Sequence, residues 1–494
     1  MIETAIDYKV LYEESTLQIA SLQHELANLK RLIFGSKNER FIPSNSSSSQ
    51  LRLDIEAEEV AQCSVIKARK IEYIRHATES DSYRIKKEHP GRIPLPEHLE
   101  RREIVIEPLE KTEGCKKIGD EITEELEYEP GKLFVNRYVR PKYVVPDDKG
   151  IIIAPMMERP LPKAIVGPGL LAQIIIDKYV DHLPLYRQME RFKREGINIP
   201  YSTIGDWIKN GCALIDPLGD ALLKLILKSD YLHADETPAK VLDKNKKGTT
   251  HRGYYWVYHN SIDGLVWFDY QEGRGREGPE EILKDFKGYL QADGYNVYDF
   301  FKEKEDITVL HCMAHARRKF FESKNNDKAT AEYALEQIGL LYDIERKAKN
   351  QQLNAEQILE LRQKESVPVL ESLGKWMKES YLKALPKSAI GKALGYSIQR
   401  WPELMVYATD GKLNIDNNPV ENSIRPVAIG RKNYLFAGSH DAARRSALLY
   451  SLMGTCKLHG INPFIWLRDV LQRINTHPIN KIDELLPHIW KPLG

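Results

Sequence analysis

The chain has 494 residues, too many for one ordinary hydrophobic core, so three or more folding units are expected. Its 72 Lys and Arg balance 71 Asp and Glu, which excludes a polyelectrolyte character for the molecule as a whole. Five scattered cysteines (63, 115, 212, 312 and 456) argue against a disulfide framework and fit a reducing cytoplasm.

Met1 opens on IETAIDY, with neither a basic n-region nor an apolar h-region, so no signal peptide is expected. The longest apolar runs, such as Ile174-Ile175-Ile176, fall far short of a membrane span, and no membrane partner is expected. In residues 1–42, Ile19, Leu22, Leu26, Leu29 and Ile33 alternate three- and four-residue steps. That seam predicts an amphipathic helix, either packed on its own core or pairing two chains as a short coiled coil. PSNSSSSQ opens a low-complexity linker, followed by a charged, mostly helical stretch, over 43–90. Between 91 and 162, prolines alternate with β-rich runs such as KLFVNRYVRPKYVVP and GIIIAP, predicting a small β-unit.

Residues 163–229 turn helical. Two helices are expected before INIPYSTIGDWIKNGC, where Tyr201-Ser202-Thr203 reads as a polar turn ahead of a third. A helix-turn-helix reading follows, with Lys193, Arg194 and Lys209 as the nearby cations it needs for DNA; a plain helical bundle gives the same pattern.

From residue 230 the character becomes α/β. YLHADETP reads as a short strand ending in two acids, GYYWVYHNS and GLVWFDY as two more strands joined at Ile262-Asp263-Gly264, and PEEILKDFKG as a helix. KGYLQADGY is then a strand, and DITVLHCMAHARRKFFES a strand running into a helix. This is the element order of a ribonuclease-H-like core, which sets carboxylates of the first and fourth strands side by side. Asp235 and Asp293 stand at those positions, with Gly294 allowing a tight turn after Asp293. Paired divalent cations held by such acids activate water on one side of a phosphodiester and stabilise the leaving oxygen on the other. A third carboxylate is needed, and Glu421 is the candidate.

Glu421 lies in LNIDNNPVENSIRP. Asn418 reads as the N-cap of a helix with Pro419 as its first residue, and Glu421 as either the far half of a capping box or a ligand. Asp416 sits before the cap, in what reads as a flexible approach. Between Asn417 and Asn475 eight Lys or Arg face three acids, a local excess of five that favours a polyanion. Arg317, Arg318 and Lys319 are read as a phosphate-facing cluster, with Arg425, Arg431 and Lys432 as further DNA-binding cations. His233 shares the Asp235 face by strand alternation, either orienting a ligand or simply buried and satisfied. The trio His311, Cys312 and His315 is read as packing at a strand–helix junction rather than as a zinc site.

HADETP, QADGYNVYDFF, HCMAHARRKFFE and DNNPVENSIRPVAIGRKNYLFAGS together resemble the bacterial insertion-sequence transposases of the IS-sixty-six type. LKRLIFGSKNERF near the start and LRDVLQRINTHPINKIDELLPHIW near the end carry the same resemblance, so it covers nearly the whole chain. It implies a multidomain α+β protein with a ribonuclease-H-like catalytic core (230–323 and 414–440), a helical insertion (324–413) and a C-terminal helical region (441–494). It further implies a D-D-E site of Asp235, Asp293 and Glu421, serving as both catalytic residues and ligands of two Mg²⁺ or Mn²⁺ ions. The partners implied are double-stranded DNA, a homodimer or synaptic oligomer, and small accessory proteins of the element. The expected reaction is phosphodiester cleavage followed by strand transfer; alternatives are a nuclease of the same fold that does not join strands and an inactive DNA-binding regulator. One departure stands out. The family commonly carries two Cys-x-x-Cys pairs in the β-unit, but here only Cys115 remains, and Val145-Pro146-Asp147-Asp148 replaces the second pair, so no structural zinc is expected.

Overall fold

The computed structural model describes residues 131, 133, 136, 142–144, 151–153, 158–162, 164–243 and 248–492. All belong to one compact unit, Glu127–Gly494. The expected N-terminal seam, the Ser-rich linker and the cysteine-depleted positions 115 and 145–148 lie outside the described residues.

Strands β1 (Lys142–Val144) and β2 (Ile151–Ile153) pair antiparallel. Three helices follow: α1 (Pro168–Tyr179), α2 (Leu185–Arg194) and α3 (Tyr201–Ile226). The expected turn at Tyr201-Ser202-Thr203 is instead the first turn of α3, a single 26-residue helix entered from Pro200. The chain reverses earlier, through Gly196 at φ 81°. Ile204, Trp207, Ile208, Ile215, Leu218 and Leu222 of α3 are buried, so this stripe faces the core.

A five-stranded sheet comes next, built from β3 (Tyr231–Leu242), β4 (Thr250–Asn260), β5 (Leu265–Gln271), β6 (Gly288–Ala292) and β7 (Ile307–His311). Its spatial order is β5-β4-β3-β6-β7, antiparallel on the β5-β4-β3 side and parallel on the β3-β6-β7 side. The short helix α4 (Glu277–Ile282) connects β5 to β6. In the β4–β5 turn, Asn260 Oδ1 accepts from the amides of Ile262 and Asp263, and Gly264 takes φ 65°.

β3 does not end at its acids. It runs 12 residues, placing Asp235 and Glu236 in mid-strand. β6 pairs only with Tyr231–His233, so beyond His233 one edge of β3 is open. The Pro238 carbonyl faces that open edge, where a missing N–H costs no ladder bond.

Helix α5 (Met313–Ser323) leaves β7 directly. Then come α6 (Lys328–Asn350), α7 (Ala355–Leu361), a π-helical turn (Arg362–Ser366), α8 (Val367–Tyr381), α9 (Ala389–Gln399) and α10 (Trp401–Met405). Asp327, Asn354 and Ser388 cap α6, α7 and α9 with their side chains. These helices enclose a second core of Leu310, Met313, Phe320, Ile338, Leu373, Leu394 and Trp401. The first core joins the sheet to α1–α3, to α11 (Asn418–Asn433), α12 (His440–Leu458) and α13 (Pro463–Arg473), through residues such as Trp256, Phe268, Leu449 and Trp466. No helix among the described residues is long and apolar enough to cross a membrane.

Candidate active site

Helix α11 lies along the open edge of β3 and is fastened there at three levels. Asn417 Nδ2 donates to the Ala234 carbonyl (2.9 Å), Arg431 Nη1 to that of Pro238, and the Ala437 amide to that of Lys240 (2.8 Å). Even-numbered carbonyls of β3 all point this way, so each contact satisfies a group the sheet leaves unpaired.

The approach to α11 is equally fixed. The carbonyl of Leu413 accepts from Arg362 (2.9 Å) and that of Asn414 from Gln291 (2.9 Å); that of Ile415 accepts from the Met313 amide (3.1 Å). Asp416 Oδ2 accepts from Tyr342 (3.0 Å), and the Asn417 amide donates to Cys312 Sγ (3.2 Å). Asp416, expected in a flexible approach, is therefore buried and bonded. It also does what was expected of Asn418: its Oδ1 accepts the Asn418 amide (3.1 Å), while Asn417 is the N-cap and makes no side-chain cap bond. Glu421 takes no part in capping. Its Oε1 is buried without a hydrogen-bond partner.

Asp293 follows β6 in a tight turn. Its Oδ1 accepts from the Tyr295 amide (2.8 Å), and Gly294 sits at φ 93°, where a Cβ would meet Arg400 Nε at 2.8 Å and Tyr396 Oη at 2.9 Å. Those two side chains, unmarked by the sequence, hold the turn from α9 and just beyond it: Tyr396 Oη donates to the Asp293 carbonyl (2.9 Å) and Arg400 Nη2 to that of Gly294 (3.0 Å). The stacked Tyr396–Arg400 pair, four residues apart, was the only local sign of them.

Asp293 and Glu421 both act electrostatically on Asp235. Burial first, then the charges of Asp293, Glu236 and Glu421, push the Asp235 carboxyl well above the usual carboxylate range. His315, in the first turn of α5, feels both Asp293 and Glu421, yet its burial dominates and lowers its pKa. Glu236, a fourth acid beside the set, is paired with Arg274, which stacks over Tyr295. Burial still raises the Glu236 carboxyl, with Arg274 opposing.

The expected cations divide. Arg317, Arg318 and Lys319 are all exposed, but successive helical residues fan out by about 100° each and do not form one face. Arg317 and Arg318 line a cleft of about 540 Å³ with Arg346, Tyr342, Asp416 and Asn418. Lys319 lies instead over the Tyr396 ring. Arg425 and Lys432 are exposed on α11, whereas Arg431 is half-buried and engaged with Pro238.

His233 is buried and satisfied. Its Nδ1 donates to Asn417 Oδ1 (2.9 Å), leaving Nε2 to accept from Asn414 Nδ2 (3.1 Å) and Ser261 Oγ (3.2 Å). It therefore acts as a neutral pin between β3 and the approach to α11.

A family model described as Transposase IS66 family matches residues 163–445, more than half of the chain. The chain belongs to the IS66 transposase family. The IS66 C-terminal element matches residues 451–488, and a model described as Transposase C of IS166 homeodomain matches residues 21–104. Two proteins of Sinorhizobium fredii, uncharacterized protein y4hP and uncharacterized protein y4jD, are each 31% identical to this chain. They cover 96% and 97% of it and are themselves covered over 89% and 96% of their lengths. A third from the same organism, uncharacterized protein y4qI, is 30% identical over 98% of the chain. The IS66 match at 163–445 takes in Asp235, Asp293 and Glu421 together with the helices between β7 and α11.

Burial also gives this IS66 chain a pH dependence. Burial depresses the His259 imidazole, bonded to Ser423 at 3.0 Å, to about 4, below its unfolded value of about 6.5. Between those values the unfolded chain binds the extra proton, so stability is full above pH ~6.5 and falls as pH drops toward ~4. The expected cost is on the order of 3 kcal/mol at most for this group, and His233 and His311, depressed to about 3 and about 4, act in the same direction. Urea unfolding at pH 7 and pH 5 checks this: His259→Asn should lose less stability on acidification than the wild type, and an identical loss would refute the assignment.

Proposed function

We propose that this chain is a D-D-E transposase acting on DNA through Asp235, Asp293 and Glu421, on a ribonuclease-H-like core formed by β3–β7 with α11. The observation that carries the reading is placement: β3 and β6 pair in parallel at His233–Gln291, two residues before both Asp235 and Asp293, and Asn417, one turn before Glu421, bonds the Ala234 carbonyl. The charges of Asp293 and Glu421 disfavour ionisation of Asp235, and a hard divalent cation relieves that repulsion, so an all-carboxylate donor set suits Mg²⁺ or Mn²⁺. Asp235, Asp293 and Glu421 would hold them; bound there, two such ions supply Lewis-acid activation of water and neutralise charge at the phosphate.

The chain's own residues do the rest. The fastening of α11 to β3 fixes where Glu421 stands relative to Asp235, and Tyr396 with Arg400 fixes Asp293. Arg317 and Arg318 bind backbone phosphates in the cleft beside α11, and Arg425 and Lys432 extend the cationic track along that helix. Lys319 contributes from the Tyr396 side, and Arg431 acts mainly by holding α11. In the first step water adds to phosphorus and the P–O3′ bond breaks, freeing a 3′-hydroxyl. In the second that hydroxyl attacks a phosphodiester of target DNA, and the displaced 3′-oxygen leaves. The partners are double-stranded DNA at the element ends and target, a second copy of the chain in a synaptic assembly, and accessory proteins of the element.

The test is incubation of the purified chain with labelled element-end DNA. Cleavage at the element boundary in Mg²⁺ or Mn²⁺ and none in EDTA is expected, followed by joined products when target DNA is added. Binding without cleavage under any divalent cation would favour a regulator; cleavage without joining would favour a nuclease.

A further inference from the structure

Cys312, the residue between β7 and α5, stands at the helix N-cap, with His315 three residues on and Glu421 facing them from α11. Their ligand atoms, the Cys312 sulfur, one His315 ring nitrogen and one Glu421 oxygen, lie within 4.8 Å of one another. His315 Nδ1 and Glu421 Oε1 are 3.9 Å apart, and both are buried without a hydrogen-bond partner. That separation is too long for a hydrogen bond. It is near the ~3.4 Å that separates two ligands of one tetrahedral ion with bonds of about 2.1 Å. His311, the third member of the sequence trio, is not part of the group.

We propose that Cys312, His315 and Glu421 form a binding site for a soft divalent cation of the zinc class. Sulfur and imidazole select such an ion over Mg²⁺, and three protein ligands leave a fourth position for water. Thiolate and carboxylate together balance its two positive charges. Burial holds the Cys312 thiol at about 12, while the amides of Asn417, His315 and Ala314 oppose that, so the thiol is protonated until the ion arrives. Binding forms the metal–sulfur bond and releases the thiol proton to solvent, one proton per ion. Arg318 and Lys319 add unfavourable charge near His315, and Asp293 offsets it.

The site shares Glu421 with the proposed D-D-E set, and this consequence rests on that proposal. Glu421 Oε1 already faces His315 and Cys312, so a zinc-class ion held there draws Glu421 away from Asp235 and Asp293 and switches the chemistry off. This is an inhibitory site, separate from the structural zinc expected to be missing from the β-unit.

Cobalt titration of the full chain, read by absorption, tests the site without relying on activity. The wild type should develop a thiolate-to-cobalt charge-transfer band whose Cys312-dependent part saturates at about one equivalent. That part should vanish in Cys312→Ser, shift or weaken in Glu421→Gln and His315→Ala, and persist in Asp293→Asn, with far-UV circular dichroism confirming that each variant folds. No band in the wild type, or a band unchanged in Cys312→Ser, overturns the site. Zinc added to Mg²⁺-driven cleavage should slow it about tenfold or more. Cleavage unaffected by zinc that does bind at Cys312 overturns the shared-ligand consequence. A cobalt band in a chain that never cleaves DNA leaves this site standing and removes only the D-D-E reading.

Discussion

Asp293→Ala is expected to abolish metal-dependent cleavage of element-end DNA, a loss of at least about 10³-fold, or roughly 4 kcal/mol of transition-state stabilisation. DNA binding, proposed to rest on cations elsewhere, should survive. Glu421→Ala and Asp235→Ala should behave alike in cleavage, but Asp235 carries a second, opposite signature. Its carboxyl is raised by burial and by neighbouring acids, so ionising it at neutral pH costs the folded state. The sign follows directly: with the folded value above the unfolded one, stability is full below the unfolded pKa and is lost as pH rises. Asp235→Asn, measured by thermal unfolding in EDTA at pH 7, should therefore be inactive yet more stable by about 1 kcal/mol or more, the trade-off expected of a strained site. A variant that is inactive and also less stable would identify Asp235 as a structural acid and remove it from the site.

The largest stability effect is expected at Arg362, in the π-helical turn after α7. Its guanidinium is buried and uses all five donors: Nε and Nη2 on the two oxygens of Glu345, Nη1 on the carbonyls of Tyr407 and Asp410, and Nη2 again on Leu413. Arg362→Met would leave three carbonyls and the Glu345 carboxylate without that partner. Breaking a buried pair of this kind costs about 3–5 kcal/mol, or roughly 4–6 °C in melting temperature for a unit of this size. Because Leu413 leads straight into the residues that fix α11, cleavage should fall with stability. The double variant Arg362→Met/Glu345→Met should recover part of the loss, since it removes the stranded charge. A melting temperature within about 2 °C of wild type in the single variant would show the network to be dispensable.

The strands were legible because β-branched and aromatic runs bounded by turn residues need little context, and Gly294 announced the turn that displays Asp293. Other features were not. β3 was read as ending at its two acids, but it runs on to Leu242, and only the early divergence of β6 reveals that Pro238 meets an open edge. Tyr201-Ser202-Thr203 looked like a turn by composition, but the buried stripe of Ile204, Trp207 and Ile208 extends the helix back over it. The polar run 413–418 read as flexible. Its partners (Arg362, Gln291, Tyr342, Cys312 and Ala234) come from five other places in the chain, and no local rule brings them together. The same holds for Tyr396 and Arg400, whose work is done on a turn about a hundred residues earlier. The proposed carboxylates were chosen by residue type and family motif, but the order of their supports was a tertiary fact.

The fastening of α11 along β3 also sets a clock on synthesis. Asp235 is translated 186 residues before Glu421, and the last bond of the strap, from Ala437, comes later still. At about 5–20 residues per second that interval lasts roughly 9–40 s, during which a nascent chain carries two of the proposed acids and lacks the third. Chains that stall or are cut before Asn417 would therefore expose a sheet edge without the complete set of proposed acids.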